Sequence, residues 1–235
     1  VEIGMGHVMR CLTLAEVLSG KGAKVSFICR NTYGHLCEYI KSKGYDVYTL
    51  QTPKFQKNKI NNYLKWFTSN QELDVFETCS ILNNQGCIDW LIIDHYGIDK
   101  SWESRVRTYV KKIMVIDDLA NREHECDILL NQNLLLGEEI RYEYLLPENC
   151  KKFIGTKYIL LRKEFNEGKR RTRDGNIKRL LIFFGGSDPT NETKKTIKAF
   201  LSLNNSLITA DVIVGENNIY KEDIENICKK NKSLT

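Results

Sequence analysis

Asp89-Trp90-Leu91-Ile92-Ile93-Asp94 is an apolar run closed by an acid. A strand buried on both faces reads this way, as the central strand of a parallel sheet does. Working outward, Asp99 to Lys111 has the pattern of a helix, and Lys112 to Asp117 that of another buried strand. Short strands follow at Ile128–Leu130 and Lys152–Ile154. Upstream, His7 to Leu18 reads as a helix, with Val8, Leu12, Ala15 and Leu18 on one face and Gly20 and Gly22 ending it. Lys24 to Arg30 reads as a strand, Tyr33 to Lys43 as a helix stopped by Gly44, and Asp46 to Leu50 as a strand. The stretch from Lys57 to Asn83 reads as helix in two pieces. Strands alternating with helices predict an α/β fold built on a doubly wound parallel sheet.

Residues 164–176 break the alternation with Lys169-Arg170-Arg171-Thr172-Arg173-Asp174-Gly175. A solvated linker and a phosphate-binding patch both fit such a basic run, and the linker is the simpler reading. The alternation then resumes: strand Arg179–Phe184, helix Thr190–Leu203, strand Ile208–Val214, helix Asn217–Lys230. Two Rossmann-like domains are expected, 1–165 and 178–235, joined by 166–177, with the second incomplete.

Bulk properties narrow the function. The chain has 235 residues, 42% apolar and 28% charged, enough for a sizeable core. A net charge of +5 suits an anionic ligand but is too small to argue for nucleic acid. None of the eight cysteines forms a C-x-x-C pair, so no zinc site or redox motif is indicated. Several lie in apolar runs, as reduced core thiols of a cytoplasmic protein do. No apolar run approaches the roughly 18 residues that a membrane span needs. The expectation is a cytoplasmic protein with no metal, no cofactor, and neither a membrane nor a nucleic acid as partner.

Three loops are candidates for chemistry. In Gly4-Met5-Gly6-His7-Val8-Met9-Arg10-Cys11, two glycines let a ligand approach the backbone, and the following helix aims free N–H groups at it. A dinucleotide fingerprint would carry a third glycine where Met9 stands, and a Walker loop would carry Gly-Lys-Ser/Thr. At a helix N-terminus, His7 is expected to be neutral and able to accept a proton. A tight turn with a capping histidine is the plainer alternative. The second loop, Asp94-His95-Tyr96, sits at the carboxyl end of the clearest strand, where open α/β sheets bind ligands. There Tyr96 would hold a water or a sugar hydroxyl, while a loop cap for Asp94 and a half-buried ring for His95 are the structural alternatives. Asp117-Asp118 also ends a strand, but neighbouring extended residues point to opposite faces and seldom share one metal ion, so a cap or turn is expected. The third loop, Gly185-Gly186-Ser187-Asp188-Pro189, would let a diphosphate rest on Gly185, Gly186 and Ser187, with Pro189 opening a helix capped by Ser187 or Asp188.

Taken in order, six stretches resemble the UDP-2,4-diacetamido-2,4,6-trideoxy-β-L-altropyranose hydrolases of pseudaminic acid synthesis. They are 3–11, Asp94-His95-Tyr96, Ile116-Asp117-Asp118-Leu119-Ala120, Leu129-Leu130-Asn131-Gln132-Asn133-Leu134, 160–165 and 183–190. The resemblance implies a GT-B arrangement of two Rossmann-like domains. It implies metal-free hydrolysis of a UDP-linked sugar, with water attacking the anomeric carbon and that centre inverting. It makes His7 and Tyr96 the catalytic residues. It places Gly4, Met5, Gly6, Arg10, Asp94, His95, Asn133, Gly185, Gly186, Ser187 and Asp188 on the substrate. It also implies a strand before residue 3 and a nucleotide-gripping stretch beyond residue 235, so residues are expected to be missing at both ends. A GT-B glycosyltransferase using a UDP-sugar donor, or a non-catalytic UDP-sugar-binding module, are the competing functions.

Overall fold

The computed structural model describes residues 5–32, 35–51, 63–134, 137–167, 172, 174–216 and 218–235. Its contacts divide the chain into two compact units, 1–168 and 169–235.

In the first unit, α1 (Met5–Gly20) leads into β1 (Ser26–Arg30), α2 (Cys37–Ser42) and β2 (Asp46–Leu50). Leu12 and Ala15 are buried on the inner face of α1, with Val8 and Leu18 half-buried beside them. After α1 the amide N–H groups of Lys21 and Ala23 both donate to the Leu18 carbonyl, and Gly22 takes a left-handed conformation (φ 91°) that suits glycine. The helix expected from Tyr33 is shorter: His35 and Leu36 are not helical, and residues 33–34 lie outside the described set. Next come α3 (Tyr63–Ser69) and α4 (Gln71–Asn83), the two expected pieces, although residues 52–62 are not described.

The decisive run forms β3 (Ile88–Ile93). It is followed by α5 (Lys100–Val106), β4 (Val110–Ile116), β5 (Ile128–Asn131), α6 (Glu138–Arg141), β6 (Lys151–Ile154) and α7 (Lys163–Asn166). Helix α5 is shorter than its sequence suggests. Asp99 caps it, accepting from the Ser101 and Trp102 amides, and a single 3-10 turn at Arg107–Tyr109 then gives way to β4 two residues earlier than expected. Val110 is buried as the first residue of that strand, and burying a β-branched side chain there outweighs one more helical turn.

Every pairing between described strands is parallel. Within this unit the sheets are β1–β2 and β3–β4–β5–β6, with Ile93 opposite Val115 and Ile116 opposite Leu130. The expected single sheet is therefore described as two. A buried polar hub ties them together: Asp74 of α4 accepts from Arg30 at the end of β1 (Nη2–Oδ2 2.5 Å) and from the Trp102 indole N–H of α5 (3.0 Å). The main core, including Phe67, Val75, Ile93, Trp102, Val106, Ile113, Val115 and Leu129, lies around β3 to β5. The structure is thus α/β with parallel sheets, consistent with a Rossmann-like fold.

In the second unit, β7 (Arg179–Ile182), α8 (Glu192–Ser202), β8 (Thr209–Val212) and α9 (Lys221–Lys229) form a parallel pair covered on one face by both helices. Ile182, Ile197, Phe200, Ala210 and Ile224 are its core. Residues 233–235 run parallel to β8 and exchange hydrogen bonds with Ala210 and Val212. Leu181, Phe183 and Ile213 point to the opposite face and are exposed. The loops after β7 and β8 touch through backbone alone: a Cβ on Gly215 would lie 2.2 Å from the Gly186 carbonyl oxygen. Gly215→Ala must therefore push the two loops apart. The expected cost is about 1–3 kcal/mol, seen as a lower urea midpoint and faster hydrogen exchange in β7 and β8. An unchanged midpoint would show that the loops separate freely.

Candidate active site

The carboxyl ends of β3 and β4 and the first turns of α1 supply the candidate site. Parallel strands leave a sheet with their following loops on one side, so the loops after Ile93 and Ile116 emerge next to each other. Helix α1 begins at Met5, which puts His7 and Arg10 on its first turns, three residues apart and on one face.

Asp94 is the centre. Its carboxylate is almost fully buried (side chain 3% exposed) and accepts three charge-assisted or imidazole hydrogen bonds. Arg10 donates Nε to Oδ2 and Nη2 to Oδ1, each at 2.5 Å, and His7 Nδ1 lies 2.5 Å from Oδ1. Burial alone would push the Asp94 carboxyl up, but the hydrogen bonds from Arg10 and His7 outweigh it and hold the group below its ordinary value. Burial likewise opposes the Arg10 charge and is outweighed by Asp94, so both partners stay ionised.

This contact decides the histidine tautomer. A carboxylate oxygen accepts only, so the proton sits on His7 Nδ1 and the lone pair on Nε2. Arg10 Nη2 also comes within 3.2 Å of Nδ1, but that nitrogen's proton is already committed to Asp94. Nε2 has no protein partner among the described residues, and the ring is 11% exposed. A proton-accepting nitrogen with its other side fixed by a buried carboxylate is the arrangement of a general base. The same contact stabilises the imidazolium that forms when Nε2 takes a proton.

The Tyr96 ring meets the His7 ring edge-on, centroids 4.6 Å apart at 88°. Burial, and then the nearby Asp118 charge, push its phenol up, so Tyr96 is a hydrogen-bond donor and not a base. Gly6 is exposed, and a Cβ there would meet no heavy atom within 4 Å, so internal packing does not require glycine at this place. Gly4 lies outside the described residues, as does the side chain of Met5.

His95 turns elsewhere. Its ring packs against Phe67 (centroids 4.4 Å apart) and its Nδ1 accepts the Gly97 amide at 3.0 Å. Burial pushes its pKa down to about 3, so it stays neutral. This is the half-buried ring that the sequence left as an alternative. Cys11 lies 3.6 Å from Asp94 and remains a thiol, its pKa raised by burial and by that carboxylate.

The paired acids after β4 divide their work. Asp117 is fully buried and accepts from the Ala120 amide and the Tyr142 hydroxyl, with Arg122 Nη1 2.9 Å away, which is the expected turn role. Asp118 instead reaches toward the site, 4.0 Å from Arg10 Nη1, and accepts a long hydrogen bond from Asn133 Nδ2 (3.4 Å). Sequence reasoning missed it by treating both acids alike. The alternation of extended chain not only sets a shared metal ion aside but also sends the two acids to different surroundings.

In the second unit, the glycine loop differs in detail from expectation. Helix α8 starts at Glu192, after Asn191 in a left-handed conformation (φ 55°), so Pro189 lies in a turn and not at the first helical position. Asp188 is buried and caps the helix from four residues upstream, accepting the Glu192 and Thr193 amides at 2.9 Å each. Two of the free N–H groups that would attract an anion are thereby occupied. Gly185 and Ser187 are exposed and Gly186 is half-buried against Gly215.

Among the described residues no group of three His, Cys, Asp or Glu side chains is placed to hold a metal, and no helix is long and apolar enough to cross a membrane. An open hollow of about 400 Å³ beside Cys87, Tyr109 and Lys111 lies at the opposite, amino-terminal ends of β3 and β4 and includes none of the candidate residues.

The Asp94 contacts carry a pH signature. The folded carboxyl titrates below its unfolded value of 3.8, so its stabilisation is complete above about pH 4 and is lost as pH falls through the lowered folded value. Asp94→Asn should cost about 3–5 kcal/mol at neutral pH, because it leaves Arg10 without its buried partner. It should also flatten the acid limb of a urea-midpoint profile below about pH 4. An acid limb identical to wild type would mean that Asp94 is not the group responsible.

No protein-family model matches the chain. It is 28% identical over 237 residues to an uncharacterized protein of Methanocaldococcus jannaschii, a match covering 98% of this chain and 44% of that protein. It is 31% identical over 192 residues to the UDP-2,4-diacetamido-2,4,6-trideoxy-beta-L-altropyranose hydrolase of Campylobacter jejuni, covering 81% of this chain and 58% of that enzyme. The chain spans about half the length of the curated relatives it matches. The second match is a distant relative that is itself named as a UDP-sugar hydrolase.

Proposed function

We propose that the protein hydrolyses a UDP-linked 2,4-diacetamido-2,4,6-trideoxy sugar to UDP and the free sugar in nonulosonic acid synthesis. The observation that carries this reading is the Asp94–His7 contact, which leaves Nε2 as a fixed proton acceptor beside Tyr96. The distant relative named as a UDP-sugar hydrolase gives the substrate class.

In this reading His7 Nε2 removes a proton from a water that Tyr96 helps to position. The water oxygen bonds to the anomeric carbon from the face opposite UDP. The bond from that carbon to the phosphate oxygen breaks, its electron pair leaves with UDP, and the centre inverts. UDP is a stable anion, so no acid is needed to protonate it, and the tasks left to the protein are orientation and charge stabilisation. Asp94 holds the imidazole in the productive tautomer and stabilises the imidazolium as it forms. Arg10 keeps Asp94 ionised. The open backbone at Gly6, the start of α1 and the exposed Gly185 and Ser187 are the places for the phosphates. The proposal includes the GT-B arrangement of two Rossmann-like domains, with the linker at 166–177, and a cytoplasmic setting, which eight free cysteines suit.

The test is to incubate the full-length protein with the UDP-sugar in ¹⁸O-water without an acceptor. The label is expected in the sugar and absent from UDP, and the first anomer detected by NMR should be the inverted one. UDP release only after an acceptor is added would establish a transferase, and tight binding without turnover a binding module. His7→Ala should lower kcat about 10²–10⁴-fold, and Tyr96→Phe should lower it less. Full activity in His7→Ala would remove this histidine from the mechanism.

A further inference from the structure

Asp118 is a carboxylate with capacity to spare. It leaves β4 next to the fully engaged Asp117 but on the other side of the chain, toward Arg10 and Tyr96. Its side chain is 19% exposed. Arg10 Nη1, at 4.0 Å, is beyond hydrogen-bond distance, and the Asn133 amide, at 3.4 Å, is a long donor to Oδ2. Oδ1 has no hydrogen-bond partner among the described residues.

The local charge says what can approach it. Asp94 and Asp118 are set against the single guanidinium of Arg10, and Asp94 already occupies two of its donors. The Asp118 carboxylate can only accept, so a phosphate oxygen in contact with it finds no donor there. Only an uncharged, donor-bearing part of a nucleotide sugar fits there. Asn133 stands beside the carboxylate, is exposed, and is oriented by its own backbone amide donating to Asn131 Oδ1 at 3.0 Å. A carboxylate with an accepting oxygen to spare matches the N–H of a secondary amide, whose C=O points the opposite way.

We propose that Asp118, held by Asn133 beside it, is the specificity-determining residue that recognises an acetamido group of the sugar by accepting its amide N–H. This rests on the UDP-sugar reading of the site. It explains why two adjacent acids at one strand end have different surroundings. It also separates a chemical end of the site, at His7, from a reading end, at Asp118.

The test compares wild type with Asp118→Ala and Asp118→Asn on three probes: the UDP-linked diacetamido-trideoxy sugar, UDP-glucose, which carries hydroxyls in place of both amides, and UDP alone. Asp118→Ala should weaken kcat/KM for the diacetamido sugar about 10–100-fold, the effect of losing one hydrogen bond to a charged group. Binding of UDP and of UDP-glucose should change less than about 3-fold on the same grounds. Asp118→Asn keeps an acceptor oxygen and should recover part of the loss. An equal fall for all three probes would overturn the proposal and make Asp118 a support for Arg10, as would an unchanged kcat/KM for the diacetamido sugar. If wild type binds but does not turn over any UDP-sugar, the hydrolase reading fails alone. Calorimetric affinities of wild type and Asp118→Ala for the diacetamido sugar then decide the role of Asp118. Absence of any wild-type preference for that sugar over UDP-glucose overturns it.

Discussion

A buried carboxylate must find hydrogen-bonded cationic partners or lose its charge, and Asp94 meets that constraint just after β3, which is an edge strand of its described sheet and not the central one its sequence suggested. The structure brings Arg10 and His7 to it from a helix more than eighty residues earlier in the chain. This single requirement fixes where α1 begins relative to β3. It sets the rotation of α1, because positions 7 and 10 must share the face that looks at Asp94. It also fixes the tautomer of the imidazole. The chemistry proposed for the site is a by-product of satisfying a charge that burial would otherwise neutralise.

The same device recurs at other strand ends with different outcomes. Asp117 satisfies one oxygen of its buried carboxylate on a turn amide and a tyrosine hydroxyl and pairs the other with Arg122. Asp188 does so on the first amides of α8. Asp74, inside a helix, takes Arg30 and the Trp102 indole and joins the two sheets of the first unit. Asp118 is the contrasting case, a partly exposed acid with weak partners. Function is therefore assigned by what each carboxylate has left over, and not by its place at a strand end.

Much of the fold was legible. Runs such as Asp89–Asp94 and Lys112–Asp117 announced strands by their apolar, β-branched stretches, although Asp89 and Trp90 are exposed and β3 is not covered on both faces as expected. The helix of α1 was legible from its period and from the glycines behind it. Boundaries were less so: α5 ended early where Val110 gained more from a buried strand, and α8 started two residues late because Asp188 capped it from a distance. The histidine and tyrosine of the site stood out in the sequence, but their link through Asp94 and Arg10 did not. His95 looked equal to its neighbours in sequence, and only the structure shows its ring packed against Phe67.

By itself the sequence determined the alternation of strand and helix, the glycine loops at strand ends, and the short list of polar residues at carboxyl termini of strands. These follow from local periodicity and backbone preference, which act over a few residues. Tertiary structure alone decided which of those residues come together, which nitrogen of His7 holds the proton, and which of Asp117 and Asp118 stays partly exposed. Those outcomes depend on burial and on partners distant in sequence, and the energy of a charge in a low-dielectric interior is set by its surroundings in space.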